Sequence, residues 1–234
     1  MIHRILSVRL DSRTVVQTTH GRRNGAAPEL AQGWPVEGGS NSPGASLITN
    51  HPERFLETAL DALSTAQDWR AVLDELPVPI YITDVEGAVT YWNRACIQLA
   101  GRVPQLGHDR WCVTWRIYTT DGQFMPHDQC PMADAINQQQ EVRGKVAIAL
   151  RPDGSRIAFR PYPTPLFDSD GKFTGAINML IDVSDEQAEA LRVQAKQCRR
   201  LADATYNREM SEILGNMADG FERTAGDLSK SMDS

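Results

Sequence analysis

From residue 50 onward the apolar positions fall into runs whose spacing switches from helical to alternating and back. Asn50 can cap a helix whose fourth residue is Glu53, and Phe55, Leu56, Ala59, Leu60 and Leu63 recur three and four apart. That spacing predicts an amphipathic helix over 51–67. Residues 69–76 predict a second, short helix, stopped by Pro77 and Pro79 because neither can continue the hydrogen-bond ladder. Residues 80–83 and 89–92 are β-branched and aromatic, and the turn Asp84-Val85-Glu86-Gly87 between them completes a hairpin signal. Asn93 can cap a short helix through Ala95, Ile97 and Leu99, closed by Gly101. Residues 102–125 show no period. Pro131 then suits the first turn of a helix through Met132, Ala135 and Ile136. Three strands follow, over 142–150, 156–163 and 174–183, separated by the turns Pro152-Asp153-Gly154 and Asp168-Ser169-Asp170-Gly171.

These elements predict an α+β fold: a five-stranded antiparallel sheet with short helices on one face and an amphipathic helix before it. Beyond Ser184 the chain has no proline and is rich in Ala, Glu, Gln, Arg and Leu, which predicts a helical tail over 185–234, a candidate for dimerisation. Its first apolar stripe is narrow (Leu191, Ala195, Cys198, Leu201) and its second bulky (Met210, Ile213, Leu214, Met217, Phe221, Leu228). Tyr206-Asn207 offers a break for a helical hairpin, and one long helix is the alternative. Gly215, Gly220 and Gly226 each weaken the helix by about 1 kcal/mol relative to alanine, so packing must hold it. Residues 1–50, with Gly38-Gly39-Ser40-Asn41-Ser42-Pro43-Gly44 at the centre, carry too few apolar groups to offset ordering and are expected to be a disordered extension.

Composition narrows the function classes. Of 234 residues, 41% are hydrophobic and 23% charged, as in a globular protein. A net charge of −6 argues against nucleic-acid binding, which needs clustered Lys and Arg. No run approaches the roughly 18 apolar residues of a membrane span, and Arg9 and Asp11 interrupt the start before a signal peptide can develop, so a cytoplasmic protein is expected. Cys96, Cys112, Cys130 and Cys198 form no CxxC pair, which predicts free thiols and no metal site. The phosphate-loop, GxSxG and HExxH motifs are all missing, and a catalytic role is not expected.

Over residues 68–184 the chain resembles a PAS domain, a small sensory module of bacterial signalling proteins. The resemblance rests on Leu73-Asp74-Glu75-Leu76-Pro77 leading into the first strand, Tyr91-Trp92-Asn93-Arg94-Ala95 after the first turn, the hairpin around Pro152-Asp153-Gly154, and the exit Asp182-Val183-Ser184. Trp115-Arg116-Ile117-Tyr118, His127-Asp128-Gln129-Cys130-Pro131-Met132 and Pro161-Tyr162-Pro163 resemble the type that often precedes histidine kinases. The resemblance implies that Asp182 and Ser184 couple the last strand to a signalling helix and that Asn93 holds a turn. It also implies a histidine kinase or another signalling protein as partner. A kinase module itself is not expected, because no histidine follows His127.

Trp111, Trp115, Tyr118 and Phe124 are candidates to line a small-molecule pocket between sheet and short helices, with His108, His127 and Cys112 beside them. Core packing is the competing role for each aromatic residue. Arg116 and Asp121 are read either as groups orienting a ligand or as a loop ion pair. No cofactor is the leading expectation. Haem-binding relatives carry their ligand His on the helix that starts here at Pro131, which has none, and Cys112 lacks the Asn-Cys-Arg-Phe-Leu-Gln setting of flavin photosensors. Phe55, Leu56, Leu60 and Leu63 are candidates for a homodimer contact. The leading reading is a non-enzymatic sensor or adaptor that binds a small molecule or partner and signals through its C-terminal helix. A ligand-free dimerisation scaffold and a haem or redox sensor are the alternatives.

Overall fold

A computed structural model of the protein describes residues 51–230; the expectations for 1–50, and Asn50 as a cap, fall outside that range. The described chain opens with α1 (Pro52–Thr65) and α2 (Trp69–Asp74), followed by the hairpin β1 (Ile80–Thr83) and β2 (Val89–Trp92). Next come α3 (Ala95–Ala100), β3 (Arg116–Tyr118), β4 (Phe124–Met125), a 3-10 turn at His127–Gln129 and α4 (Pro131–Gln138). Strands β5 (Ala147–Leu150), β6 (Arg156–Pro161), β7 (Thr164–Phe167) and β8 (Phe173–Asp182) lead into α5 (Ser184–Ala204) and α6 (Arg208–Lys230). His51 stands at the start of α1 and makes no side-chain cap; Pro52 opens the helix instead.

The strands run antiparallel in the order β2-β1-β8-β6-β5-β3-β4, with β7 also on β8. Eight strands replace the expected five for two physical reasons. Pro161 and Pro163 interrupt the fourth strand, so β6 and β7 are successive pieces along one edge of β8. The stretch without a period contributes a short hairpin, β3 and β4, at the far edge of the sheet.

Strand alternation sorts the core onto two faces. Ile80, Ile82, Ile148, Ala158, Ile177, Met179 and Ile181 belong to an outer cluster that also takes in Leu56, Ala59 and Leu63 of α1, Ala188 and Leu191 of α5, and Ala225 and Leu228 of α6. Tyr81, Ala147, Ala149, Ile157, Phe159, Ala176 and Leu180 belong to an inner cluster with Cys96 and Leu99 of α3 and Met132, Ala133 and Ile136 of α4. Helices therefore cover both faces rather than one.

The tail is a hairpin, not a single helix. It breaks at Thr205–Asn207, where Asn207 Oδ1 accepts from the Met210 amide at 3.0 Å and caps α6. Arg199 ties the two helices together through Asp219 and Glu222. The α1 stripe faces the chain's own sheet: Leu56 and Leu63 are buried there, and Phe55 and Leu60 pack at its margin. Among the described residues no helix is long and apolar enough to cross a membrane.

Candidate functional site

The inner face of the sheet carries a buried polar chain at its centre. Tyr81 on β1 and Asn178 on β8 sit opposite one another in register, and Asn178 Nδ2 donates to the Tyr81 hydroxyl at 2.9 Å. The Tyr81 hydroxyl donates in turn to the Trp111 carbonyl at 2.9 Å, and Asn178 Oδ1 accepts from the Tyr162 amide at 3.0 Å. One line of hydrogen bonds therefore joins the 102–115 loop, β1, β8 and the β6–β7 kink. Trp111 holds a left-handed backbone (φ 66°), a conformation that costs energy for a bulky residue, and its ring lies against Gly87, where a Cβ would stand 2.3 Å from the indole.

Cys112 and Cys130 flank Tyr81. The Cys112 thiol lies 3.1 Å from Thr114 Oγ1, and Cys130 Sγ approaches the Trp111 carbonyl at 3.8 Å. Burial pushes the Cys130 thiol up to about 12 and also raises Cys112, while Tyr81 is pushed well up by burial and then by the two thiols. These groups line a cavity of about 10 Å³ together with Ile117, Met132, Phe159 and Pro161. That is room for one water molecule.

Strand β8 leads from this chain to the C-terminal helices. At its end the Asp182 carboxylate accepts from the Ser184 amide at 2.9 Å, and buried Ser184 Oγ accepts from the Ala158 amide at 3.0 Å. The Val183 amide donates back to the Ala158 carbonyl at 2.9 Å, and Arg160 reaches Glu186 at 2.6 Å. The first turn of α5 is thereby fastened to β6. A groove of about 220 Å³ lies beside it, lined by Pro77, Pro79, Leu99, Arg151, Ile157 and Asp182 among others.

The family model described as "PAS domain" matches residues 77–185. This segment is a PAS domain. Solved structures similar to the chain include the PAS domain of a protein from Colwellia psychrerythraea, at 19% identity and a TM-score of 0.34, covering 49% of this chain and 92% of that one. The Rhodobacter sphaeroides LOV protein matches at 14% identity and a TM-score of 0.40, covering 66% and 92%. The LOV domain of a blue-light-activated histidine kinase from Erythrobacter litoralis matches at 23% identity and a TM-score of 0.37, covering 47% and 98%. No curated protein matches the chain.

Within the PAS domain the expected pocket residues do not converge. Trp115 and Phe124 are exposed, at 43% and 59%, because β3 and β4 lie at the sheet edge. Tyr118 packs with the outer cluster, on the opposite face from Cys112. His108 is exposed. His127 is half-buried, with burial and then the charge of Arg102 holding it below the usual imidazole range, and its buried Nε2 makes no hydrogen bond. Trp111 and Cys112 alone of the seven border the inner polar chain. Arg116 and Asp121 do not pair: Arg116 lies over the Trp115 ring, and Asp121 accepts from Gln123 Nε2 at 3.0 Å and from Thr119.

The cavity beside Tyr81 offers about 10 Å³, against the roughly 300–1,000 Å³ of a small-molecule pocket. Among the described residues no three His, Cys, Asp or Glu side chains come together as metal ligands. Tyr81 and Asn178 were absent from the sequence-derived site. Asn178 had a readable signal, a polar residue inside the apolar run Ala176-Ile177-Asn178-Met179-Leu180.

Asn93 is fully buried but does not cap α3. Its Oδ1 accepts from the Ile80 amide at 2.9 Å, and Nδ2 donates to the carbonyls of Val78 at 2.8 Å and Leu73 at 3.0 Å. It holds the α2–β1 connection against the end of β2.

The thiol environment gives a measurable expectation. Cys112 and Cys130 should react with an aromatic disulfide reagent only as fast as the protein opens, since a buried protonated thiol is a poor nucleophile. The unfolded thiols ionise near their ordinary value of 9.0 while folded Cys130 holds its proton to about 12, so stability is fully kept below pH 9 and falls as pH rises through that window. Chemical denaturation at several alkaline pH values measures this slope, and Cys130→Ala should flatten it.

Proposed function

We propose that the protein is a non-enzymatic sensory or adaptor module in signal transduction, in which β8 carries a change on the inner face of the PAS domain to the α5–α6 hairpin. The observation that supports this reading is the continuity of one strand. Asn178 at its centre belongs to the inner polar chain, and Asp182 and Ser184 at its end fasten α5. A signal that weakens the Tyr81–Asn178 contact shifts β8 relative to β6 and loosens the first turn of α5. A ligand or partner does this only by favouring one of the two arrangements over the other.

The small interior favours contact with a partner, or with a ligand at the domain surface, over an enclosed small molecule. Docking on a histidine kinase or another regulator is the corresponding partner class. Freshly purified protein should show no absorption band between 300 and 700 nm, and a Soret or flavin band would replace this reading with a cofactor sensor.

Tyr81→Phe tests the transmission directly. It removes the hydroxyl that joins Asn178 to Trp111 and should cost about 1–2 kcal/mol of stability. Hydrogen exchange at the amides of residues 184–188 should accelerate more than at α4, which touches the same face but does not follow β8. Equal exchange at both helices, with the fold intact, would sink the proposal.

A further inference from the structure

One face of α6 is only half covered. Met210, Ile213, Met217, Phe221 and Leu228 recur at spacings that place them along a single side of the helix. At the C-terminal end of this stripe Leu228 is fully buried and Phe221 packs against the outer cluster. At the other end Met210, Ile213 and Met217 are 48%, 48% and 47% exposed. The partner helix behaves the same way: Ala188, Leu191 and Ala195 of α5 are buried, while Leu201 is 50% exposed. From residue 196 to residue 217 no position is buried. The hairpin therefore runs beyond the sheet and carries its apolar stripe with it.

We infer that this projecting half of the hairpin pairs with the same half of a second copy of the chain, forming a four-helix bundle about a two-fold axis. Two antiparallel helices bury only the side they turn to each other, and a second pair supplies the missing layer. A two-fold contact also requires a self-complementary surface, and the charges provide one. The projecting part of α5 carries Lys196, Arg199 and Arg200 against Asp203, whereas that of α6 carries Glu209 and Glu212 against Arg208. A two-fold arrangement lays the basic helix of one copy beside the acidic helix of the other. Arg200 and Glu209 have no ion pair within the chain among the described residues, and both are exposed there. The sequence-derived contact through Phe55, Leu56, Leu60 and Leu63 is not needed for this pairing.

A stable interface takes roughly 20–30 residues a side, and the outward positions of 196–217 number fewer. The dimer should therefore be concentration-dependent. Sedimentation velocity on the full chain between about 1 and 200 µM should show the mass rising from the 26.0 kDa of one chain toward twice that value. Ile213→Glu with Met217→Glu should abolish the rise and leave the far-ultraviolet circular dichroism unchanged. Leu201→Glu, on the other helix, should weaken self-association at least tenfold and decides the matter if the double variant misfolds. Leu106→Glu, at an exposed apolar residue outside the helices, should change nothing. A chain that stays monomeric at the highest concentration overturns the inference, including one that captures a different protein through the stripe. A dimer indifferent to all three hairpin substitutions overturns it equally and returns the contact to α1.

Discussion

Asn93→Ala should lower the unfolding free energy by about 3–5 kcal/mol, or roughly 10 °C in Tm for a chain of this size, or prevent folding altogether. The amide group is fully buried and makes three hydrogen bonds that hold α2 and the start of β1 against the end of β2. Alanine would leave the Ile80 amide and the Leu73 and Val78 carbonyls in the interior, where each unpartnered group costs about 1–3 kcal/mol, and would add a cavity. Asn93→Asp separates this role from helix capping. A cap position accepts aspartate readily, but here the second carboxylate oxygen would face carbonyls that can only accept. Thermal or urea unfolding should place Asn93→Asp near the alanine variant. An aspartate variant as stable as the wild type would show that the two carbonyls are not held by this side chain.

Gly175→Ala should be at least as damaging. Gly175 lies in β8 at φ 141°, outside the range of an L side chain, and a Cβ there would stand 2.0 Å from the Thr83 carbonyl oxygen. The obstacle is backbone on the neighbouring strand, so no rotamer change relieves it. Relief requires β1 and β8 to part near the Thr83–Ala176 pair, and that opens the strand on which the inner polar chain depends. The loss should exceed 3 kcal/mol, in the range of overpacking combined with backbone strain. Gly226→Ala is the matched control. Nothing lies within 4 Å of its Cβ position in α6, and alanine there should stabilise the chain by up to about 1 kcal/mol. Urea midpoints that moved in the same direction for both variants would mean that the loss of glycine freedom, not the clash, governs position 175.

The readable parts of the sequence were those where local chemistry and burial agree. Asp84 marked a turn and makes one, its carboxylate accepting from the amides of Glu86 and Ala88. The apolar stripe of α1 and the Asn207 break were legible for the same reason. Strands β3 and β4 were not, because three residues and two residues are too short to display a period of two. Strand β7 was hidden by Pro165, which is tolerated where a strand pairs on one side only. The site was the least legible part. Trp115, Tyr118 and Phe124 are aromatic as a pocket would require, but at a sheet edge they turn to solvent or to the other face. The residues that do meet inside, Tyr81, Asn178 and Cys130, are separated by nearly a hundred positions and converge only through strand register.

The outer apolar cluster has a geometric corollary for anything joined to this chain. It gathers Leu56 of α1 and Leu228 of α6 on the same side of the sheet, so the first and last described helices share one face of it. A fluorophore pair placed at residues 51 and 230 would report lifting of the hairpin as a fall in energy transfer. A pull that lifts the hairpin would bare the face on which α1 also packs, and so would reach α1 without passing through the inner face of the domain.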